Sequence, residues 1–182
     1  MADERTDEAI LRDAASGNRE SFRELVERYT RRVFSVSYRY LGNVHDAQDA
    51  TQEVFTRAFA SAGRFEPRGS VYAWLMRITV NTCINELRAR RHRPLDRDDE
   101  GDLGGKGGED DLLDLELRRQ VRKALDELPP AQRMAVILAK YEGFSYDEIA
   151  GIMDRSVASV ESLIVRGKRA LAEKLAPYIV SH

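Results

Sequence analysis

The sequence predicts an all-α protein of two small helical domains joined by a flexible acidic linker, and three observations carry that prediction. Apolar residues recur at helical spacing wherever they are dense. No stretch alternates apolar and polar residues between hairpin signals. One central segment, RPLDRDDEGDLGGKGGEDDLLDLE, holds five glycines and almost no apolar residue before Leu112. A segment of that composition cannot bury enough surface to offset its ordering entropy. The expected domains are therefore residues 1–93 and 115–182, with 94–114 as the linker.

Charge follows the same division. The 182 residues carry a net charge of -2, but residues 1–93 hold 16 basic and 13 acidic side chains, residues 94–116 hold 2 and 10, and residues 117–182 hold 11 and 8. Two mildly basic bodies flank an acidic strap. At 42% hydrophobic and 33% charged the chain is of the soluble, foldable kind. The longest apolar runs, such as AVILA at 135–139, are far too short to cross a bilayer. The acidic N-terminus MADERTDEAI lacks the apolar core of a signal peptide. A cytoplasmic location without membrane insertion is expected. A single cysteine, Cys83, excludes an internal disulfide and a multi-cysteine metal site, and His45, His92 and His182 are scattered. No catalytic constellation is visible, so no enzyme activity, cofactor, metal or small-molecule substrate is expected.

The helices can be placed in order. Leu11, Ala15, Phe22, Leu25, Val26 and Tyr29 form one apolar stripe that continues through Val33, Phe34 and Tyr38 into a second helix. LGNVHD ends it, and Asp46 is the expected N-cap of a helix over 47–62. The loop GRFEPRGS leads to a long helix from about Val71 to Arg91. Beyond the linker, 115–128 is one helix, and LPPAQR opens another with Pro130 in its first turn. Ser145 and Glu148 form the S-x-x-E capping box of a third. Ser156 caps the fourth, which runs to about Lys174.

Three stretches carry chemistry. In DAQDATQEVFTRAFA, Ala47, Thr51, Val54, Phe55 and Ala58 share one face, and Asp46, Asp49, Gln52 and Glu53 share the other. That acidic face reads as a solvated helix start, as a docking face for a basic surface, or as a metal site lacking a histidine to complete it. In the second stretch, Trp74, Arg77, Asn81, Asn85 and Arg88 lie within one sector of the 71–91 helix, preceded by Arg64, Phe65, Arg68, Ser70 and Tyr72. Rings that stack on bases, amides that read base edges and guanidiniums that hold phosphates suit single-stranded nucleic acid. The competing reading makes Tyr72 and Trp74 core residues and the arginines a solvated face. The third stretch, FSYDEIAGIMDRSVASVESLIVRGKRAL, places Ile149, Ala150, Met153, Val157, Val160, Ile164 and Leu171 on the seam of two crossing helices. Arg155, Ser156, Ala158, Ser159, Glu161, Ser162, Val165, Arg166, Lys168 and Arg169 stay outside. Small polar residues followed by cations fit a recognition helix in the major groove, although similar helix pairs occur in proteins that bind no DNA.

In this order the strings DAQDATQEVF, the loop with WLMRITVN, LPPAQR, and FSYDEIA followed by SVESLIVRGKRAL resemble the extracytoplasmic-function (ECF) sigma factors of bacteria, which keep only sigma regions two and four. The resemblance covers about 9–94 and 115–175. It implies that Asp46, Asp49, Gln52 and Glu53 dock on the β′ clamp helices of core RNA polymerase, with the β flap as a further contact. It also implies that the Arg64–Tyr72 loop captures a flipped base of the minus-10 element beside Trp74, Arg77, Asn81, Asn85 and Arg88. The last helix would read the minus-35 element of promoter DNA, and an anti-sigma factor is the expected regulator. The chain departs from the commoner pattern at Asp154 (a turn glycine), Glu161 (Lys in many members), Gly167 (Ala) and the loop FEPRGS. The alternative function is a stand-alone helix-turn-helix regulator binding duplex operator DNA.

Overall fold

The structure, a computed structural model, describes residues 5–65, 69–90 and 109–179. Arg68 and residues 94–108 of the expected linker lie outside the described residues. Helices α1 (Asp7–Ala15), α2 (Arg19–Leu41), α3 (Val44–Ser61) and α4 (Val71–Arg90) form a first bundle, with one 3-10 turn at Ala62–Arg64. Helices α5 (Glu109–Asp126), α6 (Pro130–Lys140), α7 (Tyr146–Met153) and α8 (Val157–Ile179) form a second. Among the described residues there is no strand, as the periodicity predicts.

Local chemistry sets the boundaries, and three differ from expectation. The apolar stripe from Leu11 to Tyr29 is cut at Gly17, whose φ is +99°, and Asn18 restarts the chain by accepting the Glu20 and Ser21 N–H groups at 3.1 and 3.2 Å. Val33, Phe34 and Tyr38 therefore continue α2 instead of opening a new helix. That helix stops at Gly42 in the left-handed region, whose N–H donates to the Tyr38 carbonyl. Asn43, not Asp46, caps α3: its side-chain oxygen accepts the Asp46 N–H at 2.9 Å. Helix α5 begins at Glu109, inside the stretch expected to be linker.

The predicted caps of the second bundle are present. Pro130 occupies the first turn of α6, Ser145 and Glu148 form a reciprocal capping box, and the Ser156 hydroxyl accepts the Ser159 N–H at 3.2 Å. Asp154 ends α7 in the left-handed conformation, φ 53° and ψ 55°, which Asp tolerates better than most residues. Gly167 has a role that helix propensity alone does not suggest. A Cβ there would stand 2.7 Å from Val136 Cγ2, so its absence lets α8 lie close against α6.

The two bundles are not separate bodies. Ile10, Leu25, Val33, Val54, Leu75 and Val80 of the first are continuous in one buried cluster with Met134, Ile137, Ile149, Val160 and Ile164 of the second. The join is made by α6 against α2 and by α7 against α4. Helix α5 is held to α6 and α8 through a smaller cluster of Leu125, Leu128 and Val136.

Candidate polymerase and promoter surfaces

On α3 the apolar face is buried as predicted: Ala47, Ala50, Thr51, Val54, Phe55 and Ala58 point inward. Asp49, Gln52 and Glu53 are exposed on the opposite side. Glu53 accepts from Arg57 at 2.6 Å and Asp49 lies 3.3 Å from His45, both pairs one turn apart on the helix surface. Asp46 is different. It is half-buried and paired with Arg90 from the end of α4, so it ties two helices together instead of extending the exposed acidic face. Among the described residues no three acidic, histidine or cysteine side chains gather as a metal site would require.

The 3-10 turn and the start of α4 carry the aromatic residues. Phe65 packs edge-to-face on Trp74, ring centroids 5.5 Å apart, and both are half-buried. Ser70 accepts the Ala73 N–H and starts α4. Arg64, Arg77, Asn81, Asn85 and Arg88 are exposed, while Leu75, Val80 and Cys83 are buried. This division matches the predicted faces. Burial pushes the Cys83 thiol up to about 12, with Ser37 as its hydrogen-bond neighbour at 3.5 Å, so the thiol stays neutral and unreactive. Tyr72 leaves the exposed set. Its hydroxyl donates to Glu142 of the second bundle and its ring stacks on Tyr29 and Phe144, with centroids 5.1 and 5.2 Å away. Burial first, then the bond to Glu142, raise its ionisation well above the ordinary tyrosine range.

In the helix-turn-helix, Ile149, Ala150, Val160 and Ile164 are buried in the seam and Met153 is half-buried. Val157, expected there too, is 40% exposed at the first position of α8. Arg155, Ser156, Ala158, Glu161, Ser162, Arg166, Lys168 and Arg169 are exposed and Ser159 is half-buried. Arg166 bonds back to the Ser162 carbonyl at 3.2 Å and Arg169 to Glu173 at 2.9 Å. Asn81 and Arg88 of α4 meet Arg155 of the turn along one groove of about 280 Å³ floored by Val80, Ile84 and Met134. Residues assigned to two different promoter elements thus face each other across the join.

Sequence reasoning missed the polar residues that hold the join and the end of α2 beside it. Arg133 of α6 is buried. It donates to the Tyr40 carbonyl at 2.7 Å and to the Asp126 carboxylate at 3.2 Å, and its guanidinium lies 5.7 Å from the Tyr40 ring. Arg90 donates to the neighbouring Leu41 carbonyl at 2.9 Å. Two guanidiniums, one from each bundle, thereby satisfy carbonyls at the C-terminus of α2 that have no partner within the helix. Burial raises the Asp126 carboxyl and lowers Arg133, so desolvation opposes part of what their pairing gains. Arg122 donates to the Tyr38 hydroxyl and lies over its ring, and Arg39 lies 4.3 Å from the Tyr141 ring. The only sequence sign of these contacts was the arginine in LPPAQR, which reads equally as an ordinary helix-surface residue.

A helical bundle with an outward acidic helix and an amide- and arginine-bearing helix, joined to a helix-turn-helix domain, has the architecture of a two-part regulator that binds DNA and protein. Comparison with known proteins gives it a family. Residues 25–93 match the model of sigma-70 region 2, and residues 118–171 match that of sigma-70 region 4. The chain is 35% identical to the ECF RNA polymerase sigma-E factor of Escherichia coli K12, covering 98% of this chain and 99% of that one. It is 34% identical to the sigma-E factor of Haemophilus influenzae, covering 97% and 99%. Among solved structures it is similar to CnrH in complex with the cytosolic domain of CnrY, at a TM-score of 0.71 and 27% identity over 94% of this chain and 97% of that one. The RpoE of the Bartonella quintana complex with the anti-sigma factor NepR shares the fold at a TM-score of 0.69 and 22% identity, over 86% and 98%. The chain belongs to the ECF sigma factors of the sigma-70 family.

Proposed function

We propose that this chain is the promoter-specificity subunit of a bacterial RNA polymerase. It binds core polymerase, selects minus-35 and minus-10 elements and helps open the start site, and it catalyses no reaction itself. The observation that carries this reading is the end-to-end likeness to sigma-E factors, which spans both regions instead of the helix-turn-helix alone. Asp49, Gln52 and Glu53 form the face offered to the β′ clamp helices, with Asp46 positioning that helix through Arg90. Arg64, Phe65, Arg68, Ser70, Tyr72, Trp74, Arg77, Asn81, Asn85 and Arg88 serve the minus-10 side. The outer face of α8, with Arg155 and Ser156 before it, serves the minus-35 side, and the domain that carries it meets the β flap.

Opening needs no nucleotide hydrolysis. Unstacking a base costs a few kcal/mol, and each base stacked on an aromatic side chain returns about 1–3 kcal/mol. Each body carries a small net charge, so electrostatic attraction to phosphate is weak and core polymerase must supply the missing affinity. An anti-sigma factor is the expected regulator: the similar RpoE of Bartonella quintana is described in complex with the anti-sigma factor NepR, and CnrH in complex with the cytosolic domain of CnrY. No described helix is long and apolar enough to cross a membrane, which is compatible with work in the cytoplasm. The test is transcription in vitro with and without core polymerase, using a chain carrying Asp49→Arg and Glu53→Arg. Loss of promoter opening with unchanged circular dichroism supports the reading. Unchanged transcription would overturn it.

A further inference from the structure

The outer face of α8 carries a single acid among its cations. From Val157 to Leu171 the only acidic residue is Glu161, followed by Arg166, Lys168 and Arg169. Its neighbours on the same helical row, one turn before and one turn after, are Val157 and Val165, 40% and 58% exposed. Val165 is the most exposed large apolar side chain among the described residues. By the 3.6-residue repeat it lies nearly opposite the buried Val160, Leu163, Ile164 and Gly167, so it points away from the seam with α7 and α6. The cations of this face have local partners, Arg166 in the Ser162 carbonyl and Arg169 in Glu173. Among the described residues no hydrogen bond or ion pair reaches Glu161. An unpaired carboxylate between two exposed valines is thus the central feature of the helix that the fold turns outward.

On a surface that meets a polyanion, a carboxylate is repelled by phosphate and gains only where it faces a donor. The major-groove donors are the amino groups of cytosine and adenine. The adenine amino group stands beside the N7 acceptor, which repels a carboxylate, whereas cytosine presents its amino group without an acceptor of its own beside it. An exposed valine has its counterpart in the C5-methyl group of thymine. We propose that Glu161 and Val165 set the base preference of this chain at the minus-35 element: Glu161 accepts from the amino group of a cytosine, and Val165 packs on the methyl group of a thymine one or two base pairs away. The spacing suits this, since four residues of helix span about 6 Å and one base step about 3.4 Å. The inference rests on the reading of α8 as the minus-35 helix and adds which bases its central ridge selects.

The test uses the full chain assembled with bacterial core RNA polymerase and a duplex library randomised across both promoter elements, with retained DNA sequenced. The parent is compared with Glu161→Gln and Val165→Ala, both at exposed positions, with circular dichroism and core-polymerase binding as controls. The parent should enrich a minus-35 element that contains a cytosine with a thymine one or two positions away. Glu161→Gln, whose amide suits adenine, should weaken the cytosine about tenfold and move that position toward adenine while the others hold. Replacing the thymine with deoxyuridine removes only its methyl group, so parent affinity should fall about fourfold and that of Val165→Ala should not change. A preference at the Glu161-dependent position for any base other than cytosine, or a minus-35 preference that neither substitution alters, would overturn the inference and leave the minus-35 reading standing. Absence of any minus-35 preference in the parent would overturn the reading beneath it. Variants that lose core-polymerase binding but keep the parental base preference would overturn the inference by assigning the ridge to a protein partner.

Discussion

Replacing Gly167 with alanine separates two opposing effects whose sizes follow from the structure. Inside an α-helix, Gly→Ala is worth about 1 kcal/mol in favour of the variant. Gly167, however, faces α6. A Cβ would stand 2.7 Å from Val136 Cγ2 and 3.5 Å from the Gln132 carbonyl oxygen, whereas carbon atoms prefer roughly 3.5–4.0 Å. Val136 is 2% exposed and β-branched, so its methyl cannot swing away cheaply. Forcing an atom into such a site costs about 1–3 kcal/mol, which outweighs the propensity gain. Gly167→Ala should therefore destabilise the chain by up to about 2 kcal/mol, or a few degrees in Tm for a chain of this size. Adding Val136→Ala removes the offending methyl. In that background Gly167→Ala should stabilise by about 1 kcal/mol, so the double-mutant cycle shows strong coupling. Urea unfolding followed by circular dichroism measures each corner. A single Gly167→Ala variant more stable than its parent, with no coupling to position 136, would refute the packing argument.

Four further outcomes are expected. Ser145→Ala should cost about 1 kcal/mol in urea unfolding, as loss of a helix N-cap usually does. Its effect should depend on pH: the Ser145 N–H and hydroxyl hold Glu148 below its ordinary 4.5. A depressed carboxyl stabilises above its unfolded value and loses that contribution as pH falls through the folded one, so the gap between parent and variant should narrow as pH falls below the ordinary carboxyl value, leaving the share owed to the cap bond that the Ser145 hydroxyl accepts from the Glu148 N–H. Cys83 should resist thiol reagents at pH 8 in the folded chain and react at once in denaturant, because burial keeps the thiol protonated. Arg90→Met should destabilise the first bundle measurably, because it leaves half-buried Asp46 without its partner and the Leu41 carbonyl without its donor. Asp49→Arg, exposed on α3, should leave the unfolding free energy within about 0.5 kcal/mol of the parent in the same urea titration.

Helix existence was legible because each amphipathic helix buries a face it declares in its own sequence. The division of α3 into Ala47, Val54 and Phe55 against Asp49, Gln52 and Glu53 needs only the 3.6-residue repeat. So do the outer residues of α8 and the exposed amides and arginines of α4. Capping residues were legible where the motif is unambiguous, as at Ser145 and Glu148, and misplaced where two candidates compete. Asn43 and Asp46 both precede an apolar run, and the one that bends back over the first turn takes the cap. Asp46 was thereby released to pair with Arg90, a residue 44 positions away that no local pattern connects to it. Val157 failed for a related reason: periodicity assigns a face, not whether the first residue of the helix is covered.

The closing of one bundle on the other was not legible at all, and its chemistry explains why. Periodicity says which face of a helix is apolar, but not whether a neighbouring helix of the same domain or of another domain covers it. Tyr72, Phe144, Met134 and Val80 look like ordinary core residues of their own bundles, and they are also the join. The polar half of the join is built from Arg133, Arg122 and Glu142, residue types that a sequence reading assigns to solvent. Arg133 acts on a backbone carbonyl at the end of α2, which leaves no trace in side-chain pattern. A join of this composition is held less firmly than an aliphatic seam of the same extent, because desolvation of Arg133 and Asp126 offsets part of its hydrogen bonding.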